Sequence, residues 1–332
     1  MAEASITIVC DGCRPVSSLD GAHAARLADR LAKHPCRFSK RGIVSDEVAS
    51  AYEQFKRRLL LEAAEAGYGG RLQLLELTSH HGFAFAVRQG LRATLATGAQ
   101  HALVIQHDRA FCRRVPRRDF SMIMAHFAAN PSCRYIGFPS GTSKSLALRT
   151  ANQYKLHTLL AQRTYDLRPG LSLRPSVFWY DSNHLVDAAK ALEIYTPYRN
   201  APPGLLERLG GAGVGRFRLR RGDFTEERFG VEQRNLLVGL RHEPAECVRF
   251  FDWFGAYLLE ELVLDLPQDG PQEGVHELAH AAHAEDRDES SYRLVDPHLV
   301  DKHGRVTYVD HIDARGPFPA ALPSLPLPST TS

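Results

Sequence analysis

Apolar and polar positions along the chain follow two different periods, and these periods predict strands separated by helices. Short apolar runs, typical of buried strands, occupy 6–10, 72–77, 102–105, 134–138 and 175–180. Apolar residues at helical spacing, or good helix-start signals, predict helices over 18–31, 45–66, 82–96, 119–129, 143–162 and 226–240. A further helix is predicted to begin at 181. An amphipathic, aromatic-rich stretch at 246–264 is expected to pack over the sheet, and a last strand begins at 305. The pattern as a whole indicates an α/β fold.

The stretch from 71 to 111 carries the strongest signal. A strand, a helix that stops near Gly98 and a second strand follow one another, as in a right-handed crossover between parallel strands. The second strand ends abruptly at Gln106-His107-Asp108. Because ligands in such sheets bind beyond the carboxyl ends of the strands, the sequence predicts a functional site around Asp108.

Composition narrows the classes of protein that need to be considered. The chain has 332 residues, of which 44% are hydrophobic and 24% charged, as in an ordinary globular protein of one large domain or two small ones. A net charge of +3 is too small to indicate a nucleic-acid partner. Six scattered cysteines favour a reducing compartment, since Cys10 and Cys13 form only a single C-x-x-C pair. The sequence shows no signal peptide and no membrane segment, so a cytoplasmic location is the default expectation.

Three motifs taken in order resemble the GT-A-type glycosyltransferases, especially the large family 2-like group. They are Arg88-Gln89-Gly90 on the helix after a glycine-containing loop, Gln106-His107-Asp108 at the end of a strand, and Glu226-Glu227 at a helix start. The resemblance implies a GT-A-like three-layer α/β/α fold with a mostly parallel central sheet. It also implies a metal-dependent, inverting transfer of a sugar from a nucleotide-diphosphate donor to a glycan or other hydroxyl acceptor.

The resemblance assigns the donor site residue by residue. Asp108 and His311 would hold Mn²⁺ or Mg²⁺, while Asp11, Arg88 and Gln106 would contact the nucleotide. The family's strand ends in Asp-x-Asp, and Gln106 replaces its first acid, which removes a carboxylate that would hold the ribose. The alternative for Asp11 is a turn acid before a glycine, and the alternative for His311 is a strand-end histidine in water.

The acidic pair at the predicted helix start resembles the family's catalytic base. Glu227 takes the base position, with Glu226 as its reserve, and the base would deprotonate the acceptor hydroxyl. The alternative is that two acids simply favour a helix N-terminus, where the helix dipole stabilises negative charge.

Aromatic and basic residues near these motifs predict further contacts. In the resembling family, the region of Trp179, Tyr180 and His184 borders the acceptor site. Core packing is the alternative for the two rings, because alternate strand residues face opposite sides. Arg109 and Arg113 follow the predicted metal ligand closely and suit a diphosphate or other anion, since Arg binds phosphate in a bidentate fashion.

The sequence is also compatible with two other functions. His276-Glu-Leu-Ala-His280 is a formal H-E-x-x-H motif, which on a helix would build a zinc metallopeptidase. A GT-A-like domain without its first strand and first motif acid would be a catalytically inactive module that binds nucleotide or glycan.

The predicted organisation places a GT-A-like catalytic domain at 1–265 and a low-complexity insertion rich in His, Asp and Glu at 266–291. A return strand within 292–316 would complete the domain, and a disordered tail would follow at 317–332. The strand at 6–10 resembles the second strand of the family, so we expect an N-terminal truncation at the first strand. A Golgi or membrane-associated location would follow if an upstream anchor is missing.

Overall fold

Short strands and helices alternate in the computed structural model, which describes residues 4–33, 42–106, 109–113, 115–141, 143, 154–195, 204, 207–208, 217–262 and 305–311. The strands are β1 (Ile6–Cys10), β2 (Arg14–Pro15), β3 (Ile43–Val44), β4 (Leu72–Glu76), β5 (His101–Val104), β6 (Arg109–Phe111), β7 (Tyr135–Gly137), β8 (Tyr165–Arg168), β9 (Leu171–Pro175), β10 (His184–Asp187), β11 (Ala256–Glu261) and β12 (Val309–His311). The helices are α1 (Ala22–Lys33), α2 (Asp46–Glu65), α3 (Phe83–Ala96), α4 (Arg117–Ala129), α5 (Leu156–Leu159), α6 (Ala188–Leu192), α7 (Val231–Gly239) and α8 (Pro244–Phe254). A π-helical segment, Glu226–Gly230, runs directly into α7.

The largest sheet contains six strands in the order β5-β10-β7-β11-β9-β8. Within it β7 and β11 pair in parallel, and the remaining neighbours pair antiparallel. The expectation of a mixed α/β fold is confirmed, but this sheet is mostly antiparallel and not mostly parallel as the resemblance implied. The difference arises because β10 inserts between β5 and β7 in the opposite direction, and because the β8–β9 hairpin adds at one edge.

Three two-stranded sheets accompany the large one. β1 and β4 pair in parallel, β2 and β3 do the same, and β6 pairs antiparallel with β12. The strand–helix–strand unit expected between 71 and 111 forms as β4, α3 and β5, but its two strands lie in different sheets. α3 contacts both β1 and β5 and so links the two sheets.

The hydrophobic core is rich in aromatic side chains. The largest fully buried ones are Tyr135, Tyr257, Tyr308, Phe138, Phe217, Phe229, Phe250, Phe251 and Phe254. α8 supplies Phe250, Phe251 and Phe254, and Gly255 follows its last residue. The φ of Gly255, +56°, is a left-handed conformation that favours glycine. The stretch expected to be one amphipathic element at 246–264 is therefore a helix followed by a buried central strand.

Local sequence signals predict the start of α2 correctly but predict the wrong secondary structure between 175 and 192. Ser45 accepts a hydrogen bond from the Val48 N–H at 3.3 Å, which confirms it as the N-cap of α2. A strand at 175–180 and a helix from 181 were expected, but β9 ends at Pro175 and β10 begins only at His184. Asp187 caps the helix that follows. Pairing of β10 with strands on both sides outweighs the local capping signal at 181.

Several predicted segments lie outside the described residues. These are the insertion at 266–291, which contains the H-E-x-x-H motif at 276–280, and the tail at 317–332. In the described part of the chain, no helix combines the length and the apolar character needed to cross a membrane.

Candidate active site

Three strands of the large sheet end at the same edge. β5, β7 and β11 run in one direction, since β10 lies antiparallel between β5 and β7 and β11 pairs in parallel with β7. We call this the carboxyl edge and define it by Gln106, Phe138 and Glu261, which follow or end these strands. Ligand sites form preferentially outside such an edge.

Asn183 organises the carboxyl edge from its position just before β10. Its side chain is fully buried and accepts the Gln106 N–H at 3.0 Å, while its amide donates to the Arg109 carbonyl at 3.2 Å. Its own carbonyl accepts the Phe138 N–H at 3.0 Å. Asn183 thus holds the two residues that flank the His107–Asp108 dipeptide in the sequence, and sequence reasoning assigned it no such role.

The two predicted metal ligands are far apart in the sequence, and strand pairing brings their neighbourhoods together. Asp108 lies outside the described residues, and it directly precedes Arg109, the first residue of β6. β12 pairs antiparallel with β6 so that the backbone of His311 stands opposite Arg109. The Arg109 Nε is buried and has no hydrogen-bond partner among the described residues. A buried guanidinium nitrogen without a partner fits an anion contact.

The two acidic side chains of the π-helical segment differ in exposure, since one is half-buried and the other is exposed. Glu226 is half-buried, and its Oε2 accepts the Asp181 N–H at 3.3 Å. In return, the Glu226 N–H donates to Asp181 Oδ2 at 3.2 Å. Glu227 is exposed. The geometry therefore brings Glu226, and not the sequence-favoured Glu227, next to a second carboxyl group.

Asp181 is the most perturbed acid of this region. It is 4% exposed, and its Oδ1 has no hydrogen-bond partner among the described residues. Burial raises its pKa from 3.8 to about 7, and the neighbouring Glu226 charge also raises it, against hydrogen bonds from Glu226 and Thr225 that lower it. A carboxyl that titrates near neutral pH can exchange a proton with a bound substrate. The sequence suggested only a helix cap at this position, because nothing local reports how deeply a side chain is buried.

The three predicted acceptor contacts are all buried. Trp179 is 2% exposed and its ring centroid lies 4.6 Å from that of Tyr135 with the planes tilted by 45°, so its ring belongs to the core. His184 is 3% exposed, and burial lowers its pKa to about 4, which leaves the imidazole neutral. Trp179 fits the core-packing alternative, whereas His184 is the buried first residue of strand β10. Tyr180 is 6% exposed and faces a pocket together with Phe178.

Arg113 and Arg109 differ in their surroundings. Arg113 donates to Glu261 at 2.8 Å and lies over the Tyr308 ring, and Glu261 also accepts from Arg168 at 3.2 Å. Arg113 is therefore held in a largely buried ion-pair network that joins β11 to the segment before β12. Both arginines keep a buried Nε without a hydrogen-bond partner among the described residues, but only Arg113 is shown paired to a carboxylate there.

Asp11, at the end of β1, anchors the loop that leads into α3. Its carboxylate accepts the N–H groups of Gly12, His81 and Gly82 at 3.0, 2.6 and 2.8 Å. His80 Nδ1 lies 2.7 Å from Asp11 Oδ2. This arrangement matches the turn-acid alternative, because the carboxylate oxygens already have several donors.

The Asp11 loop is connected to the acidic pair through the chain around Gly222. The Gly222 N–H donates to the His81 carbonyl at 2.9 Å, and Arg221 reaches Ser79 at 3.4 Å. Arg88, predicted to contact nucleotide, lies on α3 over the rings of Phe85 and Tyr195 at 5.3 and 5.8 Å. The loop held by Asp11 is thus linked by hydrogen bonds to the segment that leads into Glu226.

Comparison with protein-family models, with curated proteins and with solved structures finds no match for this chain. Among the described residues, no group of three or more His, Cys, Asp or Glu side chains is arranged to hold a metal ion.

Proposed function

We propose that the chain is a metal-dependent, inverting glycosyltransferase that moves a sugar from a nucleotide-diphosphate donor to a hydroxyl acceptor. The observation that carries the proposal is the pairing of β12 with β6, which sets the backbone of His311 opposite Arg109, the residue after Asp108. A carboxylate and an imidazole, together with donor phosphates, would form a ligand set that suits Mn²⁺. Neither side chain is among those that the structure describes.

The proposed donor site uses the carboxyl edge. Asp108 and His311 would hold the metal, whose charge would stabilise the departing diphosphate. Arg109 adds a guanidinium whose buried Nε lacks a partner among the described residues. Asn183 keeps both chain segments that flank Asp108 in place.

The proposed base is Glu226, with Asp181 beside it. During attack, the acceptor oxygen loses its proton to a carboxylate and forms a bond to the anomeric carbon, while the bond from that carbon to the diphosphate oxygen breaks. A carboxylate beside a buried carboxyl whose pKa is about 7 can pass the proton on near neutral pH. Glu227 lies one residue further on and is exposed, which makes it the natural control.

Thermal unfolding of the full chain tests the donor site. We expect UDP or GDP to raise the melting temperature in the presence of Mn²⁺ or Mg²⁺ and not with chelator, since a ligand that binds only the folded state stabilises it. Asp108→Ala and His311→Ala should abolish this shift and nucleotide-sugar turnover. Asp29→Ala, which removes an exposed acid of α1, is the matched control and should retain both. Wild-type turnover by Asp108→Ala would overturn the proposal.

A matched pair of substitutions tests the base. Glu226→Gln keeps the shape of the side chain but cannot accept the acceptor's proton, so we expect turnover to fall by about a hundredfold or more at unchanged nucleotide binding. Glu227→Gln should retain most of the activity. The reverse ranking would return the base role to Glu227.

A further inference from the structure

A pocket of about 670 Å³ lies beside β9 and β11, which contribute Arg174 and Pro175 and the residues from Leu258 to Glu260 to its lining. This volume falls within the range of roughly 300–1,000 Å³ that small-molecule sites occupy. α5 and the loop between β9 and β10 form its walls. Among the described side chains, none of the nucleotide or base candidates lines it.

The pocket is lined by two aromatic rings and by aliphatic side chains. The ring centroids of Phe178 and Tyr180 lie 4.9 Å apart, and the ring planes are tilted by 53°. Leu160, Leu258 and Leu259 contribute the aliphatic surface. Aromatic faces and aliphatic groups bind the C–H faces of a ring, and they supply none of the charge that a phosphate requires.

Three charged side chains of the pocket are already paired with each other. Glu260 accepts from Arg174 at 2.7 Å and lies 3.1 Å from Arg305 Nε. Asp166 and His157 also line the pocket. Two arginines thus stand against two carboxylates, so the lining has little net charge. Such a lining offers donors and acceptors to hydroxyl groups, while a phosphate or carboxylate would have to compete with the existing ion pairs.

We propose that this pocket binds an uncharged ring that carries hydroxyl groups, a neutral sugar, as the acceptor of the transfer reaction. In naming an acceptor, the inference rests on the proposed function. Tyr180 of the pocket wall immediately precedes Asp181, whose main chain and side chain bond to Glu226. The peptide bond between Tyr180 and Asp181 therefore connects the wall of the sugar pocket directly to the carboxyl pair.

The experiment measures binding of neutral methyl glycosides by saturation-transfer NMR and titration with full-length protein. Ala161 lines the pocket and is exposed, so Ala161→Trp fills the space from the rim. We expect binding of the preferred methyl glycoside to weaken about tenfold or more, a loss of about 1.4 kcal/mol. Ala51→Trp, at an exposed position of α2, is the matched control and should bind as wild type does.

Phe178→Leu keeps the pocket apolar and removes one ring, and it should weaken the same glycoside while the melting temperature shows that the protein is folded. Glucuronate and glucosamine 6-phosphate, which carry anionic groups, should bind more weakly than the neutral glycosides. Tighter binding of either anion, or unchanged glycoside affinity in Ala161→Trp, would overturn the assignment.

The test separates this inference from the proposed function. Nucleotide stabilisation with Mn²⁺ but no glycoside binding sensitive to Ala161→Trp would refute the pocket assignment and leave the transferase proposal standing. Glycoside binding sensitive to Ala161→Trp, without any nucleotide effect or turnover, would keep the pocket as a sugar site and refute the transferase proposal.

Discussion

Replacing the buried acid Asp181 by Asn should change how the stability of the protein depends on pH. The folded protein holds a proton on Asp181 up to a pKa of about 7, whereas the unfolded chain releases it near 3.8. Between these two values the folded state binds more protons than the unfolded state, so the free energy of unfolding falls as pH rises and levels off above about 7. Asn mimics the protonated carboxyl and carries no titratable proton.

The size of the effect follows from the separation of the two pKa values. Each pKa unit corresponds to about 1.4 kcal/mol, so the complete effect is about 4 kcal/mol. Between about pH 5 and about pH 8, the stability of Asp181→Asn relative to wild type should increase by about 3 kcal/mol. Most of this increase should occur below pH 7.

Urea unfolding of both proteins across this pH range measures the difference, and groups common to both cancel. Glu226→Gln removes the neighbouring charge, which should shift the midpoint of the wild-type pH dependence to lower pH, because that charge helps to raise the pKa of Asp181. A difference between Asp181→Asn and wild type that stays constant with pH would refute the assignment of a raised pKa to this residue.

Three further predictions concern stability and can be measured by urea unfolding. Asn183→Ala removes a buried side chain that bonds two main-chain groups, so we expect a loss of about 2–4 kcal/mol and reduced nucleotide-dependent stabilisation; an unchanged protein would contradict its bridging role. Gly255→Ala should cost at least about 2 kcal/mol, since its Cβ would lie 1.8 Å from a backbone oxygen, whereas Gly98→Ala has open space and should cost only about 1 kcal/mol. Tyr308→Phe deletes a 2.6 Å hydrogen bond to buried Glu261 and should cost about 2 kcal/mol; no loss would show that the bond contributes little.

The sequence was sufficient where a local signal and the final environment agree. Ser45 caps α2, and the elements β4, α3 and β5 lie close to their predicted positions, because apolar periodicity and capping act within a few residues. The sequence likewise predicted strand β1 and the acid that follows it, Asp11. The Asp11 carboxylate accepts main-chain N–H groups of the loop before α3.

Other features depended on partners that are distant in the chain. β10 is a strand because β5 and β7 offer pairing edges on both sides, and that pairing outweighs the helix-start signal at 181. Main-chain pairing satisfies buried N–H and C=O groups, and no local window of sequence shows which edges will be available.

The sequence by itself determined the alternation of strands and helices, the abrupt polar end at Gln106 and the acidic pair Glu226-Glu227. Only the tertiary structure decided which acid of that pair meets Asp181, that the pKa of Asp181 is raised, and that Asn183 bridges the residues on either side of His107–Asp108. The physical reason is that desolvation and bridging hydrogen bonds come from segments brought together by folding, whereas the sequence pattern reports only near neighbours.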